Sequence, residues 1–418
     1  MNDNEIKSVA IIGGGVSGLT VARLLRERYR VTVFDANPTP GGLIRCQRVE
    51  GSLFHTCGGH VFNTRRSEVL DFFGKIFDYE REFRKSDRNS VIFMADGLRV
   101  PYPIENYAYL FDDETLRRII ADVVALKSKP QSSSNFEEFL QGRFGSTLYN
   151  LYFRPYNEKI WRRRLNDVPI EWLEGKLPMP SPEEIIYNNI RRVAEKQFVH
   201  STFWYERQGG SQYLADRLAE GTDIRYSSPV NAISRQADGR WAVAGELFDA
   251  VVYTGNIRRL PSIVEGLDLS GFAPDLERLE SHGTTSVFCE IDQNPYSWIY
   301  LPDHDYDAHR IICTGNFAPS NNASPRLTAT VEFTDRVDRD EIERQLERIP
   351  LNPRYLAHCY NEVTYPIQTA GTREMIRRLK QTTQPAGLWL TGRFADWEYY
   401  NMDAAMEAAI NTVKTFDR

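Results

Sequence analysis

Three glycines near the start of the chain, Gly13, Gly15 and Gly18 in "IIGGGVSG", have the spacing to receive a phosphate. They follow an apolar run and open a helical one. The first permits a tight turn, the second lets a pyrophosphate approach the backbone, and the third lets helix and strand pack closely. Asp35 closes the next apolar run, where a carboxylate takes the ribose hydroxyls of an adenosine. The glycine pattern is common in turns, and its place between a strand and a helix is what gives it weight.

NAD and FAD share this fingerprint, and what separates them lies elsewhere. Gly41, Gly42 and Arg45 in "NPTPGGLIRC" make a second loop along the cofactor. In "GRFADWEYYNMDAAMEAAI", residues 392 to 410, a turn at Gly392 precedes an alanine-rich helix with Asp403 as its expected cap. Asn401, Met402 and Asp403 then present N–H groups at a helix N-terminus, which favours negative charge by about 0.3 to 2 kcal/mol. A reduced flavin is an anion at its pyrimidine edge. A C-terminal strand and helix that return to the first domain suit an extended FAD better than NAD.

These residues need a frame. Residues 7 to 35 read as strand, glycine turn, amphipathic helix and strand, the opening of a doubly wound α/β unit. Helical periods fill 108 to 200, with the polar patch 127 to 135 as a loop. Strand-like runs return from 223, two amphipathic segments flank "YNEVTYPI", and "GLWLTGRF" is a buried strand. The fold class expected is α/β: a Rossmann-like FAD-binding domain with a helical insertion and a second, antiparallel sheet region. A discontinuous cofactor domain takes 1–90, 201–265 and 385–418, a helical nucleotide and lid domain takes 108–200, and a substrate domain takes 91–107 and 266–384.

Composition narrows the partners. With 418 residues the chain is long enough to enclose a large cofactor. Its net charge of −6, with Lys and Arg scattered among acids, offers no basic stripe for nucleic acid. Five widely spaced cysteines without a CxxC indicate neither a disulfide framework nor a zinc site, and the histidines show no metal-ligand spacing. No apolar run of 18 residues occurs, so no membrane span is expected, and the location expected is cytoplasmic.

Read together, "GGHVF" (58–62), "VPYPIEN" (100–106), "FRPYNEKIW" (153–161), "WLEGK" (172–176), "WIYLP" followed by Arg310, "TYPI" (364–367) and "GRFADWEYYNMD" resemble the UDP-galactopyranose mutase family of the amine-oxidase-like flavoproteins over nearly the whole chain. The resemblance implies an isomerase that interconverts pyranose and furanose forms of a nucleoside-diphosphate sugar through a covalent adduct with reduced FAD, after reduction by NAD(P)H or another donor. It places His60 beside the flavin, with Gly59, Val230 and Arg393 completing the cofactor set. It gives the diphosphate to Arg310, helped by Tyr300, Tyr365 and Tyr399, and makes His60, Arg310 and Tyr399 the catalytic set. Tyr102, Trp161 and Asn157 fall in the substrate site, and Tyr152 and Tyr156, four apart on one helical face, are positioned to sandwich the base. Arg154 and Lys159 on that segment read as solvated.

The departures are informative. A second phosphate arginine falls on Lys176, which keeps the charge without the bidentate fork, and a tyrosine falls on Phe317. The base-reading glutamine becomes Glu105, preceded by Ile104. A carboxylate accepts from a base N–H but cannot donate to a carbonyl, so this swap puts uracil in question: Glu105 either faces an amino group, as on guanine or cytosine, or points away. The rival reading is an oxidase or desaturase of the protoporphyrinogen oxidase type, which encloses an apolar or amine substrate and needs no phosphate cation. A flavin-binding relative without catalysis is the third.

Overall fold

Ser8–Ile12 is buried at every position because it is the middle strand of a five-stranded parallel sheet. The order is Leu388–Leu390, Ala250–Tyr253, Ser8–Ile12, Arg30–Phe34 and Asp223–Arg225. A parallel strand covered on both faces reads as an unbroken apolar run. One face, through Val9, Ile11, Val31 and Val33, meets Val21, Ala22 and Leu25 of the helix Val16–Leu25 together with Ala409 and Val413 of the C-terminal helix Met402–Val413. The other, through Ala10, Ile12 and Val251, meets Trp241 and Phe248 of a small four-stranded sheet and Leu379 of the helix Thr372–Thr383. This computed structural model describes residues 7–126, 133–170, 173, 180–193 and 202–416.

A seven-stranded sheet runs Arg354–Ile367, Glu280–Ile291, Leu327–Thr334, Arg310–Ile312, Trp298–Tyr300, Ser90–Phe93 and Arg99–Pro101. It was expected to be antiparallel, and it is mixed: Trp298–Tyr300 runs parallel to Ser90–Phe93. One face is apolar, carrying Val287, Cys289, Ile291, Ala329, Val331 and Phe333. The other carries Ser286, Thr328, Thr330, Glu332 and Thr334, all buried as well, because the segment around Phe54 to Gly58 lies against it.

The helical region contains Asp113–Ala125, Phe136–Leu148, a single wide turn at Tyr149–Phe153, Arg154–Trp161 and Pro182–Arg191. Asp112, Asn135 and Ser181 cap three of these through their side chains, Ser181 in a capping box with Glu184. The stretch 127 to 135 read as a loop lies largely outside the described residues, as does Lys176. The C-terminal helix begins earlier than its sequence suggested. Asn401 is its N-cap, without a side-chain bond, and Asp403 sits in the first turn, where its carboxylate accepts from Thr64 Oγ1 at 3.1 Å and Arg66 Nε at 3.3 Å.

Candidate functional site

The glycine loops come first because backbone contact defines them. A Cβ on Gly18 would lie 1.9 Å from the Gly13 carbonyl oxygen, so helix and turn close only with glycine there. Gly41 N–H donates to the Gly14 carbonyl at 2.8 Å, and a Cβ on Gly42 would come within 3.2 Å of Gly15 Cα. The two loops therefore meet through bare backbone. The helix Val16–Leu25 has no side-chain cap and no acid in its first turn, which leaves its N–H groups for an anion. Arg45 Nε braces the second loop at the Gly42 carbonyl, 3.0 Å away.

Asp35, the residue expected at a ribose, is buried, and its carboxylate braces the turn, accepting from Gly14 N–H at 2.6 Å and from Asn37 N–H at 2.7 Å. The segment leading to Val230 runs beside it, with Ser228 N–H on the Asp35 carbonyl at 2.8 Å. From the far end of the chain, Gly392 touches the same cradle: at φ +101° its Cβ would lie 2.6 Å from Ser17 Oγ.

Above the cradle sits the His60 segment. A Cβ on Gly59 would fall 2.6 Å from Ile312, so this backbone is wedged against the mixed sheet. Gly58 N–H donates to Glu332 at 2.7 Å. His60 N–H donates to His55 Nδ1 at 3.3 Å, and His55 Nε2 lies 2.8 Å from the Tyr205 hydroxyl. Burial pushes His60 down to about 4, with the Arg393 and Arg310 charges adding to it, so the imidazole is neutral at physiological pH. Its Nε2 is buried and has no hydrogen-bond partner among the described residues.

Arg310 is the centre of the third cluster. Its Nε donates to the fully buried Glu332 carboxylate and its Nη2 to the Tyr365 hydroxyl at 3.2 Å. Burial opposes its charge, but Glu332 together with Tyr365, Tyr156 and Tyr399 outweighs it and holds the guanidinium well above its usual range. The Tyr365 and Tyr399 rings stack at 5.5 Å, and Arg393 lies 4.3 Å over Tyr399. Arg393 is itself tied to the Thr364 carbonyl at 3.0 Å and the Tyr400 carbonyl at 2.5 Å. Trp397 completes the clamp from a left-handed backbone at φ +52°. Its indole donates to the Ile367 carbonyl at 3.0 Å, and Gln368 donates to its carbonyl at 3.1 Å.

Tyr300 joins this cluster to the helical region. Its hydroxyl accepts from Arg88 at 2.8 Å, and its ring lies 5.0 Å from Tyr102 and 5.4 Å from Tyr156. The expected sandwich is not formed: Tyr152 and Tyr156 stack on each other at 5.3 Å, and a base between them would need about 7 Å, two van der Waals layers. Tyr152 is buried and Tyr156 half-buried. Asn157 spends its amide on the Phe153 carbonyl at 2.7 Å, one turn back, and Trp161 belongs to the helical core. Phe317 is likewise core, fully buried against Trp298, Phe203 and Tyr205.

A family model for flavin-containing amine oxidoreductases matches residues 16–414. The chain belongs to that family. Escherichia coli dTDP-fucopyranose mutase is 29% identical to this member over 98% of both chains. A reduced UDP-galactopyranose mutase structure superposes with a TM-score of 0.84 over 98% of this chain and 95% of its own, at 20% identity. Coproporphyrinogen III oxidase of Mycobacterium leprae is 31% identical over 33% of this chain and 34% of its own. The fold is thus the amine-oxidase-like one, and the cofactor of this family member is a flavin.

The residues present fit that group: the glycine loops leave a backbone cradle that a Cβ would fill, and His60 Nε2 is a buried polar atom in want of a partner. Gly13, Gly15, Gly18, Gly41 and Gly42 would hold the phosphate end of such a group, and His60, Gly392 and the Met402 terminus its far end. Among the described residues no group of histidines, cysteines and acids could hold a metal ion. Sequence reasoning missed Glu332, Arg88, His55 and Lys159. Lys159 is buried, not solvated: its ammonium donates to the carbonyls of Leu301 at 2.8 Å, Asp303, and Ala308 at 3.2 Å, and burial lowers it to about 8. The segment it pins leads directly into Arg310.

Proposed function

We propose that this protein is an FAD-dependent mutase that interconverts pyranose and furanose forms of a pyrimidine nucleoside-diphosphate sugar. The observation that carries this reading is Arg310, held by Glu332 and Tyr365 and set among phenols next to His60. An amine or an apolar substrate has no use for such a cation, whereas a diphosphate does. The similarity to dTDP-fucopyranose mutase along both chains supports it.

When bound and reduced, FAD supplies the nucleophile for the anomeric carbon, and the reaction is redox-neutral overall. The chain's own residues bind and retain. Arg310 and the hydroxyls of Tyr300, Tyr365 and Tyr399 take the charge of the departing diphosphate and keep it at hand for its return. Burial raises Tyr156 and Tyr365 well above their ordinary values, so both stay protonated donors. His60, neutral, offers Nε2 for a hydrogen bond to the flavin without adding a charge. The domain division given above, a cytoplasmic location and reduction by a nicotinamide belong to the same proposal; all five cysteines are free thiols, and no described helix is long and apolar enough to cross a membrane.

Glu105 bears on the base. It is 2% exposed, and burial raises its carboxyl to about 7. A neutral carboxyl has one O–H donor and one carbonyl acceptor, the same pair that a glutamine amide presents. Uracil conflicts only with an ionised side chain at this position. With a proton on Glu105, uracil or thymine meets its pattern.

The test is to reduce the purified protein with dithionite, add dTDP-, UDP-, GDP- and CDP-sugars in turn, and follow ring contraction by NMR. Furanose formation from dTDP- or UDP-sugars is expected. Oxygen uptake with substrate oxidation and no ring contraction overturns the proposal in favour of an oxidase.

A further inference from the structure

Tyr300 and Arg310 are register partners on neighbouring antiparallel strands, so their side chains stand on one face of the seven-stranded sheet, roughly 5 Å apart at Cβ. From the opposite side a second guanidinium reaches the same phenol. Arg88, just ahead of the strand Ser90–Phe93, donates through Nη2 to the Tyr300 hydroxyl at 2.8 Å and through Nε to Ser90 Oγ at 2.9 Å, and lies 5.0 Å over the Trp298 ring. The turn beneath it is stitched to the start of Trp298–Tyr300: Asn89 N–H donates to Ser297 Oγ at 2.8 Å, and Ser297 N–H to the Asn89 carbonyl at 2.7 Å. A long side chain held at three points is pre-organised, and the charges around it indicate for what.

Arg310 and Glu332 carry opposite charges, and as a pair they are close to neutral. His60 is uncharged, and Arg393 is held by the Thr364 and Tyr400 carbonyls behind Tyr399. A nucleoside-diphosphate sugar brings two negative charges to this place, beside a flavin that is itself an anion when reduced. Removed from water, those charges call for a cation beyond Arg310. Arg88 stands at the nucleoside end: its guanidinium lies 6.0 Å over Tyr102, on the segment that leads to Glu105, whereas Arg310 bonds Tyr365 and its charge reaches His60. Tyr300 lies between the two. Its oxygen accepts from Arg88 and its O–H has no acceptor among the described residues, so that proton is available to a phosphoryl oxygen.

The geometry points to Arg88 as a second phosphate cation, set on the α-phosphate next to the nucleoside while Arg310 holds the β-phosphate next to the sugar. The inference rests on the proposed function and divides the diphosphate between two arginines. It has a kinetic corollary. The bond that breaks and re-forms joins the anomeric carbon to a β-phosphate oxygen, so the charge facing Arg310 changes during the reaction and the charge facing Arg88 does not. Arg88 thus binds ground state and transition state alike, and its loss falls on KM rather than on kcat.

Calorimetric titration of the flavin-loaded full chain with dTDP, dTMP and thymidine tests it, beside turnover of the sugar nucleotide that contracts in the NMR assay. Arg88→Met is expected to weaken dTDP and dTMP alike by about 10- to 150-fold, the range of a charged hydrogen bond, and to leave thymidine unchanged. For the sugar nucleotide, kcat/KM is expected to fall by the same factor, carried by KM. Arg88→Lys, which keeps the charge without the fork, is expected to lie between wild type and Arg88→Met. An unchanged visible flavin spectrum shows that each variant is folded. Equal dTDP affinity in wild type and Arg88→Met overturns the inference and leaves the proposed function standing; so does a loss confined to kcat, or one that thymidine shares. Wild-type protein that binds neither dTDP nor UDP overturns the proposed function and the inference with it.

Discussion

Replacing Glu105 by glutamine removes a titration that burial has displaced. The side chain is 2% exposed, and no cation is among the causes that set its carboxyl, which burial raises from 4.5 to about 7. The folded chain therefore holds this proton more tightly than the unfolded chain. Its contribution to stability is full below pH 4.5 and is lost as the pH climbs through 7. At 1.36 kcal/mol per pH unit the gap amounts to about 3 kcal/mol. With an unfolding entropy of about 2.1 cal/mol/K per residue, that corresponds to about 3 °C in Tm for a chain of this length. Thermal unfolding of the two flavin-loaded proteins, followed by circular dichroism from pH 5 to pH 8.5, gives the comparison. Every titration that they share cancels in the difference. The Glu105→Gln variant is expected to gain on the wild type by about 3 °C between pH 5 and pH 8, most of it below pH 7, with the midpoint at about 6 and a plateau above 7. In parallel, wild-type affinity for dTDP is expected to fall above pH 7 and the variant's to stay level. Two Tm curves that run parallel across this range would refute the assignment of a proton to Glu105.

Other residues give sharper single outcomes. Gly18→Ala places a methyl 1.9 Å from the Gly13 carbonyl oxygen, so the protein is expected to purify without flavin and without visible absorbance; stoichiometric flavin would contradict the cradle. Arg310→Lys loses the fork shared by Glu332 and Tyr365, and kcat/KM for the sugar nucleotide is expected to fall by about 10- to 150-fold, the worth of a charged hydrogen bond of about 1.5 to 3 kcal/mol. An unchanged value would remove Arg310 from the substrate's path. Lys159→Met leaves three carbonyls without their donor and is expected to cost about 3 kcal/mol in urea unfolding, with a raised KM because the segment it pins leads into Arg310. Unaltered stability would show that water replaces the ammonium there.

How much of this could be read from the letters varies with the range of the physics involved. Gly13, Gly15 and Gly18 were legible because a turn, a strand and a helix all lie within a dozen residues, and the steric rule that demands glycine is local. The Met402 helix was legible by its alanines, but its cap was not: Asp403 is drawn aside by Thr64 and Arg66, more than 330 positions away in the chain. Glu332 was hidden for a related reason. In "LTATVEFT" the alternation of Thr328, Thr330, Glu332 and Thr334 has the period of a solvent-facing edge, and only the docking of the His55 to Gly58 segment turns that face inward. Lys159 looks like any helix-surface lysine, since nothing nearby announces carbonyls that arrive from residues 301 to 308. Tyr152 and Tyr156 had the right spacing to stack, and their partner turned out to be each other.

Trp397 holds a conformation that side chains of its size avoid, and an indole bond to Ile367 keeps it there. That distortion is held by contacts within the chain itself. Tyr365 and Tyr399, which come from stretches more than thirty residues apart and flank it in the chain's fold, lie with their rings parallel. On the proposed function, an incoming diphosphate would spend little of its binding energy on arranging them, and the entropy of two ordered phenols would be missing from its association cost.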